Sequence, residues 1–102
     1  MLKEIQQRRI EILALCRQFG VRRLDLFGSA ASEREEMQVR DLDFLVDLGD
    51  RPPTEYSEAY FGLREALERL FSLPVDLVTV QSVRNPHFKQ RLEQTRSMLY
   101  AA

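Results

Sequence analysis

The chain has 102 residues, 15 Lys and Arg against 16 Asp and Glu, and a formal net charge of -1. That length supports a single domain over residues 1–102 and is too short for two hydrophobic cores. The near-neutral balance excludes a global field toward nucleic acid or an anionic membrane, and no local basic patch stands out.

The content of 44% hydrophobic and 30% charged residues is that of an ordinary globular protein. The one cysteine, Cys16, cannot form an intrachain disulfide, which fits a reducing cytoplasm. It falls on the apolar side of a helical pattern and reads as a core residue. The opening MLKEIQQRRIEIL is too charged for a signal peptide, and no apolar run approaches ~18 residues.

Residues 2 to 19 read as a helix. Leu2, Ile5, Ile12, Leu15, Cys16 and Phe19 recur at helical spacings, and Gly20 is a natural stop. Residues 21 to 27 alternate as a strand, with Leu24 and Leu26 on one face and Arg23, Asp25 and Phe27 on the other. Gly28-Ser29 follows at once, and Ala30-Ala31-Ser32-Glu33 can open a short helix. The insert SEREEMQVR has no apolar period and reads as exposed. Residues 41 to 48 form the clearest strand. Leu42, Phe44 and Val46 share one face; Asp41, Asp43, Leu45 and Asp47 share the other.

A turn through Gly49-Asp50-Arg51-Pro52-Pro53 leads into a helix over 54 to 71, where Tyr56 and Tyr60 read as packing residues. Ser72-Leu73-Pro74 breaks it. Residues 75 to 80 are a third strand with an unexpected charge, Asp76. Asn85-Pro86 is a helix start running to about Thr95, with Phe88 and Leu92 as its apolar edge. His87 reads as a surface residue, and SMLYAA as a short edge strand. The expected architecture is α/β (α+β): a small mixed sheet with helices on one face, the other left for a ligand.

Asp41 and Asp43 are i and i+2 on a strand, so both carboxylates leave the same face ~7 Å apart. Such a pair repels, and a divalent cation is the usual compensation, because carboxylates suit Mg²⁺ or Mn²⁺. Asp76 supplies a third carboxylate from another strand. Three carboxylates can hold two metals ~4 Å apart, the clamp used in phosphoryl transfer. Gly28-Ser29 adds a turn where backbone approaches a ligand closely and N–H groups meet phosphate. Each part alone has a bland explanation: a surface turn, a solvated strand entry, an aspartate paired with an arginine. Their order, each at a strand end, favours function. Phosphatases and glycosyltransferases with a D-x-D after an apolar strand are disfavoured, since here the apolar run FLVDL follows the carboxylates.

Leu26-Phe27-Gly28-Ser29, then Asp41-Leu42-Asp43, then Val75-Asp76-Leu77-Val78 resembles the DNA polymerase β-like nucleotidyltransferase superfamily. The short length, the Asn85-Pro86 helix and the ending LYAA look like its minimal nucleotidyltransferase (MNT) branch. The resemblance implies that Gly28 and Ser29 hold the triphosphate of ATP or another NTP. It implies that Asp41, Asp43 and Asp76 hold two Mg²⁺, with Asp76 helping to activate the acceptor hydroxyl. The reaction implied is transfer of a nucleoside monophosphate with release of pyrophosphate. The partner implied is a HEPN-domain toxin, which the antitoxin silences by placing AMP on a tyrosine.

Two positions depart from the family pattern. Ala30-Ala31-Ser32-Glu33 lacks the usual arginine, for which Arg34 or Arg40 could substitute, and Arg40 stands where Ser often precedes the first Asp. Two functions therefore compete: an active transferase whose acceptor is a bound protein, and an antitoxin that acts by covering its toxin with a weakened site.

Overall fold

The computed structural model describes residues 3–31 and 40–102. The insert 32–39, with Arg34, and the Ser29 side chain lie outside the described set. Helices α1 (Lys3–Gln7) and α2 (Arg9–Gln18) fill the expected single helix, broken at Arg8. The five residues from Gln6 to Ile10 are all exposed, so no packing holds the helix regular there. Gly20, at φ +64, closes α2 with a Schellman pair: its N–H reaches Arg17 O at 3.3 Å, and that of Val21 reaches Cys16 O at 2.8 Å.

Strands β1 (Arg23–Phe27), β2 (Leu42–Asp47), β3 (Val75–Thr79) and β4 (Ser97–Ala101) form one sheet in the order β3-β2-β1-β4. β1 is antiparallel to both β2 and β4, while β2 and β3 are parallel. Helix α3 (Pro53–Phe71) supplies the crossover that a parallel pair requires. It ends at Ser72, which takes a left-handed conformation and donates to Glu68 O at 2.8 Å.

The main core lies between the sheet and α1, α2 and α3. Leu24, Leu26, Phe44 and Val46 meet Ile12, Cys16, Leu63 and Leu67 there, all of them buried. Burial pushes the Cys16 thiol up to about 12, so it is a packing residue with almost no thiolate. Tyr60 packs at the edge of this core and donates its hydroxyl to Leu77 O at 2.6 Å.

The mixed sheet matches the expectation, but the second face is not left bare. Helix α4 (Pro86–Thr95) lies against it, burying Leu92 with Phe27 and Leu45 and packing Phe88, Val78 and Val83 around them. Phe27 and Phe88 meet edge to face at 5.8 Å. The physical reason is the apolar strip Phe27–Leu45–Val78, one residue from each of three adjacent strands, which would otherwise face water. Asn85 caps α4 as expected: its Oδ1 accepts from the N–H groups of His87 at 2.9 Å and Phe88 at 3.4 Å. His87 is exposed in the first turn.

Candidate active site

The strand register brings the sequence motifs together. Phe27 pairs with Asp43 across β1–β2, and Asp43 pairs with Asp76 across β2–β3. Side chains directly opposite on neighbouring strands share a face. Asp43 and Asp76 therefore stand side by side, and Asp41, two residues before Asp43, joins them at the strand entry. Asp41 and Asp76 are exposed, and Asp43 is half-buried. Burial first, then the charges of Asp41 and Asp76, pushes the Asp43 carboxyl up to about 6.

Gly28 follows β1 directly and sits at φ +74 in a single 3₁₀ turn, Gly28–Ala30. Of the short helix expected over Ala30-Ala31-Ser32-Glu33, Ala30 ends this turn and Ala31 caps it, while Ser32 and Glu33 lie outside the described residues. A Cβ on Gly28 would lie 2.6 Å from Asp43 Oδ2, so only glycine lets the turn lie against that carboxylate. The Gly28 N–H does not point into open space. It donates to Thr95 Oγ1 at 3.1 Å, and the same hydroxyl donates to Arg91 O at 3.0 Å.

These groups form the floor of an open cleft of about 430 Å³. Phe27, Gly28, Asp43 and Asp76 line one side, and Phe88, Arg91, Gln94 and Thr95 of α4 line the other. The α4 wall was not read as functional from the sequence. Its signal was present: Phe88, Arg91, Leu92 and Thr95 have the i, i+3, i+4, i+7 spacing of one helix face, so the apolar edge carries polar neighbours with it.

Asp25 was also missed. It is fully buried on the same face, accepting from Arg23 Nε at 3.1 Å and from Arg96 Nε at 2.9 Å, with the Arg96 Nη2 as a further donor. Arg96 is 71 residues away in sequence, which no local pattern can reveal. Arg40 is exposed and forms no ion pair with Asp41 or Asp43 among the described residues.

No three His, Cys, Asp or Glu side chains among the described residues are already gathered as a metal-binding group. The donor chemistry nonetheless fits a hard divalent cation. Asp43 and Asp76 line the cleft with Asp41 two residues before Asp43 at the strand entry, and the repulsion among the three carboxylates adds to the rise in the Asp43 pKa.

Residues 9–98 match the family model described as the nucleotidyltransferase domain. The chain belongs to that family. A Methanocaldococcus jannaschii relative, named as a candidate protein adenylyltransferase, is 34% identical over 93 residues, covering 91% of this chain and 89% of its own. A solved candidate minimal nucleotidyltransferase is 27% identical, with TM-score 0.60 over 91% of this chain and 90% of that one. A Shewanella oneidensis complex of an MNT antitoxin with a tri-AMPylated HEPN toxin superposes with TM-score 0.65 at 22% identity, over 95% of this chain and 72% of that one, and shares the fold. This nucleotidyltransferase is thus an enzyme whose fold presents a carboxylate-lined cleft at the ends of β1, β2 and β3. None of its described helices is long and apolar enough to cross a membrane.

Proposed function

We propose that this nucleotidyltransferase is a Mg²⁺-dependent protein adenylyltransferase. It moves AMP from ATP to a hydroxyl of a partner protein, a HEPN-domain toxin, and serves as the antitoxin of that pair. The observation that carries the reading is the register of Asp43 beside Asp76, with Gly28 pressed against Asp43. Asp41, Asp43 and Asp76 would hold the metal, which when bound supplies charge neutralisation for phosphoryl transfer. Gly28 and Ser29 bind the triphosphate, the glycine by allowing close backbone approach. Asp76, exposed on the outer of the two parallel strands, accepts the acceptor's proton. Residues 1–102 act as one catalytic domain, and the cleft, open to solvent, leaves room for a bound protein acceptor.

The AMPylated toxin in the Shewanella complex and the name of the Methanocaldococcus relative support this reading. The test incubates the protein with Mg²⁺, labelled ATP and a cognate HEPN protein. Label should pass to a partner tyrosine, and Asp43→Asn should lower the rate at least a hundredfold. One observation favours the second reading, a covering antitoxin: the Gly28 N–H is already satisfied by Thr95. A tight complex with no label transfer in wild type would establish that reading and sink the first.

A further inference from the structure

The cleft floor carries Asp43 and Asp76, with Asp41 beside it, and a nucleoside triphosphate adds roughly four more negative charges. Among the described cleft-lining residues the sole cation is Arg91. It is exposed, stands on α4 opposite the carboxylates, and forms no ion pair among the described residues. Its guanidinium lies 6.0 Å from the Phe88 ring centre, and Phe88 is itself fixed against Phe27. The helix that bears it is anchored at three points: buried Leu92, the Thr95–Gly28 hydrogen bond and the Arg96–Asp25 ion pair. Arg91 is therefore a cation carried on a fixed helix beside an anionic site, with no carboxylate partner among the described residues.

We propose that Arg91 is the specificity residue for the triphosphate, binding the β- and γ-phosphates that leave as pyrophosphate; the assignment rests on the transferase reading above. In the transfer the acceptor oxygen bonds to the α-phosphorus and its proton passes to Asp76. The bond from the α-phosphorus to the bridging oxygen breaks, and its electron pair departs on pyrophosphate. Negative charge grows on the β-phosphate during that step. A guanidinium suits it, because its fork of N–H donors matches two phosphate oxygens at once and stays charged. Gln94 and Thr95, one turn further along α4, line the same wall. AMP lacks the β- and γ-phosphates, so the charge that Arg91 adds to the Gly28-Ser29 grip favours ATP over AMP.

The test measures binding of a non-hydrolysable ATP analogue and of AMP in Mg²⁺ by calorimetry, with circular dichroism to confirm folding. Arg91→Ala should weaken the ATP analogue at least tenfold and AMP less than twofold, and Arg91→Lys should recover part of the loss. Lys89→Ala removes an exposed α4 cation outside the cleft and should change neither. Equal losses from Lys89→Ala and Arg91→Ala, or equal losses for ATP analogue and AMP, would overturn the assignment. If Arg91→Ala binds like wild type while Asp43→Asn does not bind, Arg91 is excluded and the transferase reading stands. If wild type binds neither nucleotide, both fall.

Discussion

Gly28 and Asp43 constrain each other more tightly than any other pair in the site. Gly28 needs a left-handed backbone and also the absence of a side chain, since a Cβ would sit 2.6 Å from the Asp43 carboxylate. Gly28→Ala should therefore cost about 1–2 kcal/mol from backbone strain alone. It should also displace Asp43 and lower AMP transfer out of proportion to the stability loss, as denaturant melts and turnover on the same samples would show. Asp43 carries a second consequence. Its carboxyl is raised from 3.8 to about 6, so the folded chain holds a proton there that the unfolded chain gives up. Without divalent metal, this group's penalty is absent below pH 4 and grows as pH rises through 6. The full shift corresponds to about 3 kcal/mol, and half-exposure and screening reduce it to about 1 kcal/mol. Asp43→Asn should raise the metal-free melting temperature at pH 7, leave it nearly unchanged at pH 4, and abolish any stabilisation by Mg²⁺.

Helix α4 is the element that converts a sheet with carboxylates into a cleft. Its hold on β1 depends on a charge that is fully buried: Asp25 is 0% exposed and is neutralised by Arg96 and Arg23. Arg96→Met removes the better-placed partner and should cost about 2–3 kcal/mol, because the buried carboxylate then keeps only Arg23. Adding Asp25→Leu should restore much of that stability, and failure of the double variant to recover would show that the pair is not the anchor. The helix itself was readable in advance: Asn85-Pro86 set its start, Thr95 its end, and Phe88 and Leu92 its apolar edge. Its placement was not. A pattern of four on one side says that a face is buried, not which surface buries it. Here the deciding surface was Phe27–Leu45–Val78, three residues from three strands whose adjacency exists only after folding. The carboxylates were legible for the opposite reason. Asp41 and Asp43 declare a shared face by their spacing, and Asp76 interrupts a β-branched run where a charge has no packing role. Asp25 sits in an equally apolar strand, yet its partner is remote, so its meaning was hidden.

The whole molecule is tied together late in the sequence. Among the described strands β4 pairs only with β1, the Gly28–Thr95 hydrogen bond spans 67 residues, and the Asp25–Arg96 bond spans 71. A chain stopped after Arg84 keeps Gly28, Asp41, Asp43 and Asp76 but loses α4 and β4. It should retain helicity by circular dichroism yet bind no ATP analogue, and strong binding by that fragment would show that α4 does not build the site. The same arrangement sets a clock on biosynthesis. A ribosome delivers the three carboxylates and the glycine before α4 and β4, the elements that wall the cleft and hold that wall to β1. A nucleotidyltransferase built this way has its cleft wall only once β4 has closed against β1.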